Sequence, residues 1–283
     1  MIKRIVVALD PDDDTPIAIQ YAIKLAKRFD AEITGLAVVD LGNIYTGAGG
    51  GYGAEYNAME LWKELSAETR NKATKLLDQF KNSVDKAGVG YTAIKKQGVS
   101  DDQIIEQMKY HDLLIVGRDS HFFYNQPNQD TDTLAKVVKG GVSPTLVVTN
   151  EYREIERIMI ALDGSGAAAR SLKDFVHLLP YGKDLDIELV NIPEDNSNES
   201  MDYSVAVLNS AETYLKTHNF HYIHKHIMDK GKPFERIIEY KSKKNPDMLV
   251  MGAHAVSAIR KAVFGSTTDQ MITKTDIPLF LSP

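Results

Sequence analysis

The chain is written twice. Its first half opens KRIVVALDPDDDTPIAIQYAIKLAKRFDAEITGLAVVD from Lys3, and its second opens ERIMIALDGSGAAARSLKDFVHLLPYGKDLDIELVNI from Glu156, with Asp10 and Asp163 each closing an Ala-Leu-Asp strand end. The echo continues: KKQGVSDDQIIEQMKYHDLLIVG matches MDKGKPFERIIEYKSKKNPDMLVMG, so that Gly98 answers Gly231, Ile104 answers Ile237, Asp112 answers Asp247 and Gly117 answers Gly252. VSPTLVV then matches DIPLFLS and pairs Pro144 with Pro278. An internal repeat outranks local assignments, because each copy must solve the same packing problem. In each copy, near-continuous apolar strands alternate with amphipathic helices. Strands apolar on both faces are covered on both faces, which implies a parallel, doubly wound α/β sheet. The prediction is therefore two tandem domains, 1–150 and 153–283, each a five-stranded parallel sheet in the order 3-2-1-4-5 flanked by helices. TNEYR (Thr149–Arg153) joins them and is too short for a tether, so the domains should pack closely.

In the first copy the strands are expected at Lys3–Leu9, Glu32–Val39, Gly90–Lys95, Leu113–Val116 and Thr145–Val148. Thr15-Pro16 starts a helix, with proline at a favoured first-turn position. Met59–Lys86 reads as a long amphipathic helix with Leu61, Leu65, Leu76, Leu77 and Phe80 on or near its buried side.

Composition narrows the function classes. At 283 residues, with 43% hydrophobic and 25% charged, the chain reads as ordinary soluble globular protein. A net charge of −6 argues against a general grip on nucleic-acid backbones. The absence of cysteine excludes disulfides, thiolate metal sites and a cysteine nucleophile. Met1-Ile2-Lys3-Arg4 runs straight into a strand rather than a signal peptide, and no apolar run approaches the roughly 18–20 residues of a membrane span. The expectation is a cytoplasmic protein with no membrane insertion.

In a doubly wound sheet, ligands sit beyond the carboxyl ends of the strands. Asp163 and Gly252 lie at such ends, and Gly265-Ser266-Thr267 opens the helix STTDQMITKT. A helix N-terminus offers free N–H groups and partial positive charge to an anion, with the hydroxyls of Ser266 and Thr267 and the charges of Arg260 or Lys261 in support. A tight turn followed by a plain serine N-cap fits the same residues. The repeat favours the ligand reading: the first copy keeps Gly117 but has Thr131-Asp132-Thr133 in place of Gly265-Ser266-Thr267, and Asp130 and Asp132 would repel a phosphate. An anion site is expected in the second copy alone.

The spacing Gly252-x-x-Ala255, nine residues, then Gly265-Ser266-Thr267, resembles the nucleotide-loop signature of the universal stress protein family. ALDGS at Ala161–Ser165 and NPDMLVMG before the loop fit the same resemblance, which covers essentially the whole chain as two tandem domains. The resemblance implies that Gly252, Ala255, Gly265, Ser266 and Thr267 wrap the phosphates of ATP. It implies that Asp163 meets the ribose or a metal bound with the phosphates, with Ala161 and Leu162 beside it. Ile192 would face the adenine and Met251 would lie beneath the nucleotide. Mg²⁺ would accompany ATP, because the phosphate charges need neutralising beside Asp163. Two departures stand out: the second glycine of the pattern is Ala255, and His254 replaces a common arginine. The first domain retains Asp10 and Val38 without the loop and reads as a degenerate partner.

Other features invite chemistry less strongly. TGAGGGYGAEY (Thr46–Tyr56) lacks the Gly-Lys-Ser/Thr ending of a P-loop and follows the second strand, so it reads as an excursion before the long helix, with a lid or partner loop as the alternative. His218, His221, His224 and His226 fall on an expected edge strand; His224 and His226 could share a face as a metal pair, but polar residues also protect an edge. Asp12-Asp13-Asp14 more simply favours the helix N-terminus that follows than a cation. Phe122–Tyr124 reads as core or interdomain packing, and Trp62 as a helix packing residue. No GxSxG elbow, HExxH or base–nucleophile pair emerges, so hydrolysis, if any, should be slow. The leading expectation is an adenine-nucleotide-binding stress protein that senses or engages partners. The alternative is a scaffold or apolar-ligand binder without nucleotide. The final strands of the two copies should meet inside the molecule as a pseudo-dimer, with a further homodimer using some other surface.

Overall fold

The computed structural model describes residues 1–42, 54–122, 124, 132–178, 180–253 and 266–283. In the first half, β1 (Arg4–Ala8), α1 (Thr15–Phe29), β2 (Glu32–Val39), α2 (Ala54–Ala87), β3 (Tyr91–Gln97), α3 (Ser100–Met108), β4 (Leu113–Gly117), α4 (Thr133–Gly140) and β5 (Thr145–Val148) follow in turn. The second half repeats the order with β6 (Arg157–Ala161), α5 (Gly166–Leu178), β7 (Asp186–Asn191), α6 (Asn198–Thr217), β8 (Ile223–Ile227), α7 (Pro233–Lys244), β9 (Met248–Gly252), α8 (Ser266–Lys274) and β10 (Leu279–Ser282).

Among the described residues ten strands form one sheet, β3-β2-β1-β4-β5-β10-β9-β6-β7-β8. Each half has the expected 3-2-1-4-5 order in parallel register. The halves join where β5 and β10 pair antiparallel, Leu279 opposite Val147 and Leu281 opposite Thr145. An apolar core lies on each face of the sheet, and both run through the two halves: α1, α2, α5 and α6 cover one face, α3, α4, α7 and α8 the other.

The repeated residues repeat their roles. Asp112 Oδ2 accepts hydrogen bonds from the main-chain N–H groups of Lys3 and Arg4, and Asp247 Oδ2 does the same for Glu156 and Arg157, tying the start of each half's first strand to its fourth. Pro144 and Pro278 each offer a carbonyl to the neighbouring strand, to the N–H of Leu114 and of Leu249, both at 3.0 Å. The joint is held firmly. Tyr21 of α1 donates its hydroxyl to Arg153 O and accepts from Arg153 N, both at 3.0 Å, while Tyr152 packs on the Tyr21 ring at 4.6 Å.

Three expectations change in the first half. The long helix begins at Ala54, so the last residues of the glycine-rich excursion are helical and 43–53 lie outside the described residues. Its buried face runs through Ala73, Leu76, Leu77, Phe80 and Val84, but Leu61 and Trp62 are 43% and 42% exposed. Phe122 and Tyr124 are buried as expected.

Candidate functional site

A cleft of about 230 Å³ opens at the carboxyl edge of the second half. Its floor is the ends of three strands: Ala161 and Leu162 at β6, Val190 and Asn191 at β7, Met251 and Gly252 at β9, with Asp163 and Ile192 following on. Its walls come from the first turns of α7, through Pro233 and Ile237, and α8, through Thr267 and Thr268. Parallel strands joined by right-handed crossovers bring helix N-termini to this edge. Here α5, α7 and α8 all start beside the cleft, and their dipoles present positive ends to it. A second, polar compartment of about 660 Å³ shares Asp163, Asn191 and Ile192 and extends over Glu194, Asp195 and the first turns of α6 to Tyr203.

Of the residues expected at the site, Ala161, Leu162, Asp163, Ile192, Met251, Gly252 and Thr267 are brought together around this cleft. Ser266 is the first residue of α8. Ala255 and Gly265, with His254, Arg260 and Lys261, lie outside the described residues. Asp163 is exposed; its Oδ1 accepts from Ser165 N at 2.8 Å, and Ser165 Oγ in turn accepts from Ala168 N at 3.2 Å, capping α5.

Gly252 lines the cleft and also has a packing reason to be glycine. A Cβ there would stand 2.7 Å from Ala167 C and Ala168 N, main-chain atoms at the start of α5. At Gly117 a Cβ would meet the Asp14 Cβ at 2.5 Å. Glycine is required in both halves because the helix after the first strand crosses tightly over the end of the fourth.

In the first half the chain's own residues cover the strand ends, and a cleft of about 330 Å³ lies beside them between residues 10–16 and the 72–79 stretch of α2. Asp10 is buried, and its two oxygens accept from His121 N at 2.8 Å and Phe122 N at 3.1 Å. Asp12 accepts from Asp14 N and Thr15 N through Oδ1 and from Ser120 Oγ through Oδ2, while Asp14 Oδ2 accepts from Asp119 N. The acidic run thus holds the main chain at the turn into α1 and fastens the segment after β4 across the strand ends. Burial, and after it the charge of Asp12, pushes the Asp10 carboxyl well above the usual carboxylate range. The Tyr124 ring is buried there too: its hydroxyl donates to Leu9 O at 2.8 Å and accepts from Val38 N at 3.2 Å. Burial pushes that hydroxyl's pKa up, so it keeps the proton it donates.

Register makes Leu162 and Ile192 the counterparts of Leu9 and Val38, since Leu162 N bonds Val190 O as Leu9 N bonds Leu36 O. In the second half Leu162 O takes a hydrogen bond from Asn191 Nδ2 at 2.6 Å. The Ile192 N–H, just past the ladder, has no acceptor among the described residues. Sequence reasoning missed Asn191, Pro233, Ile237 and Thr268, and did not foresee the part played by Tyr124. The one available signal was a polar Asn191 closing an apolar strand where the first copy has Ala37.

Two of the histidines singled out in the sequence engage neighbouring side chains. His224 pairs with Asp186 at 3.2 Å and His226 stacks on Tyr240 at 4.5 Å, both along the edge strand β8. Among the described residues no group of three or more His, Cys, Asp or Glu is placed to hold a metal ion, and no helix is long and apolar enough to cross a membrane.

A model of the universal stress protein family matches residues 1–148 and again 154–283. A universal stress protein of Synechocystis sp. is 25% identical over 289 aligned positions, covering 98% of this chain and 99% of its own. Another, from Methanocaldococcus jannaschii, is 26% identical over 54% of this chain and 86% of its own. The crystal structure of a universal stress protein from Archaeoglobus fulgidus superposes with a TM-score of 0.70 over 99% of this chain and 95% of that one at 18% identity, a likeness of fold.

Proposed function

The chain belongs to the universal stress protein family, in tandem form, and from that premise we propose that it binds ATP or a related adenine nucleotide in its second half alone. The observation that carries this reading is the contrast between two equivalent strand edges. In one, Tyr124 and the acidic run occupy the strand ends and leave a cleft lined by carboxylates beside them; in the other the strand ends open into a cleft with a main-chain donor at Ile192.

In this reading the base sits against Ile192 over Met251, with Ala161 and Leu162 beside it, and Asp163 meets the ribose or a metal ion. Gly252, Ala255, Gly265, Ser266 and Thr267 form the phosphate loop, so the phosphates lie toward the start of α8, where its dipole favours them. Mg²⁺ bound with the phosphates would supply charge neutralisation at Asp163. Among the described residues no cleft side chain pairs a nucleophile with a base, and the reading is accordingly one of sensing or nucleotide-dependent partner binding, with slow hydrolysis at most. Calorimetry with Mg-ATP on the wild type and on Gly265→Asp tests this. Binding by the wild type that the variant loses supports the loop; equal binding removes it.

The second reading is a scaffold whose cleft holds an apolar ligand, and the lining by Ala161, Val190, Ile237 and Met251 favours it. Mass spectrometry of molecules released from the purified protein separates the two. Adenine nucleotide supports the first; a lipid-like molecule supports the second. Because β5 and β10 already pair within the chain, a homodimer would use another surface, and light scattering gives its mass.

A further inference from the structure

The helix α8, whose first turn walls the cleft, is held at its far end by the other half of the chain. Nη1 of Arg118, the residue after β4, donates to Thr275 O at 2.8 Å. Thr275 N bonds Met271 O, so this oxygen belongs to the closing turn of α8, where main-chain carbonyls lack partners within the helix. A guanidinium there also meets the negative end of the helix dipole. The group is itself held: Nε and Nη2 donate to the two oxygens of Asp119 at 2.9 and 3.1 Å, and Asp119 N bonds Asp14 Oδ2 at 2.9 Å. A planar fork fixed by two such bonds leaves its remaining donor little freedom.

The repeat shows that this contact is particular to α8. Arg118 N and Ala253 N make the same bond to the next strand, to Val148 O and Ser282 O, each directly after the glycine that ends its half's fourth strand. Ala253 is therefore the counterpart of Arg118, and it has only a methyl group to offer the end of α4. The helix beside the open cleft, with Thr267 and Thr268 in the lining, is the one given an anchor from the opposite half. At nine residues α8 is about 13 Å long, short enough to carry a fixed end to the cleft as one rigid element.

We infer that Arg118 is a positioning residue: from the first half it fixes α8 along its axis and so sets the first turn of that helix against the anionic end of the ligand. This rests on the nucleotide reading above.

Calorimetry on the full chain with Mg-ATP and with adenosine, which lacks the phosphates, reads the effect. In Arg118→Met, which keeps an apolar stem and loses the donors, ATP should bind about fivefold more weakly, with adenosine within about twofold of wild type. Asp119→Asn keeps the guanidinium but breaks its fork. By charge alone, losing a carboxylate strengthens ATP binding; by loosened positioning it weakens ATP binding about twofold and leaves adenosine unchanged. Equal weakening of both ligands in Arg118→Met means general loosening and overturns the inference, as does unchanged ATP binding. Unchanged or tighter ATP binding in Asp119→Asn also overturns it, and that variant decides alone if Arg118→Met does not fold. If the wild type binds neither ligand, the nucleotide reading itself fails, a result distinct from all of these.

Discussion

Removing one oxygen atom tests whether the first half's strand ends are covered by its own chain. In Tyr124→Phe the ring stays buried, but Leu9 O and Val38 N lose the hydroxyl bonded to them at 2.8 and 3.2 Å. Phenylalanine fills the space of the ring, so water has no new room to replace the hydroxyl. Each stranded buried group costs about 1–3 kcal/mol, and the longer bond belongs at the low end, so the expected loss is about 2–4 kcal/mol. Tyr203 is 55% exposed, and Tyr203→Phe should change stability by no more than about 0.5 kcal/mol. Urea unfolding reads both: the midpoint should fall for Tyr124→Phe at unchanged slope, with the melting temperature lower by on the order of 10 °C. A loss under about 0.5 kcal/mol for Tyr124→Phe would show that the hydroxyl does not close that edge. A large loss for Tyr203→Phe would show that the argument from burial is wrong.

Gly252→Ala should cost about 1–3 kcal/mol by overpacking, since its Cβ would press on main-chain atoms at 2.7 Å, whereas Gly166→Ala, with Arg170 Nη1 nearest at 3.5 Å, should be neutral or stabilising by up to about 1 kcal/mol; equal effects in denaturant melts would refute the strand–helix account. Asp10, its pKa raised chiefly by burial and then by Asp12, holds a proton in the folded chain at pH values where the unfolded chain, with a pKa of about 3.9, has lost it. Stability from this group is therefore present below about pH 4 and falls as pH rises through the folded value. Asp12→Asn keeps an oxygen for Asp14 N and Thr15 N and removes the repelling charge, so it should be more stable than wild type near neutrality by about 1 kcal/mol, the gap closing below about pH 4; a gap that is independent of pH counts against it. A protease site placed at Glu151 should yield halves that co-elute after cleavage, because β5 and β10 and both cores bridge them; separation on a sizing column would overturn the internal pairing.

What could be read from the sequence was what the repeat duplicates. Asp112 matches Asp247 and Pro144 matches Pro278 because each pair makes the same main-chain bond in each half. A role performed twice leaves a mark twice. The covering of the first half's strand ends was not legible, because it depends on Tyr124 reaching back to β1 and β2 across more than eighty residues of chain, a contact no local period records. Trp62 was misjudged for a related reason: helical periodicity says which residues share a face, not which stretch of that face is covered. The packing demand at Gly252 was not legible, because sequence shows a missing side chain without showing that the start of α5 fills its space. Asn191 was passed over since one polar residue at a strand end is common; the bond from its Nδ2 to Leu162 O is visible only in the folded chain.

The continuous sheet makes this division of labour between the halves physically reasonable. A ligand that binds only the folded chain stabilises it by an amount that rises with its concentration, so a fold leaning on two ligand sites would lose stability whenever ligand fell. Tyr124 and the carboxylates of Asp10, Asp12 and Asp14 satisfy the first half's strand ends permanently. The antiparallel β5–β10 seam and the two shared cores carry that ligand-independent order into the second half. The open edge at Asp163, Asn191 and Ile192 can then remain incomplete on its own without the fold depending on what occupies it. On the proposed reading a tandem chain would hold one responsive site against a fixed partner, an arrangement that two subunits of identical sequence would reach only by breaking their symmetry.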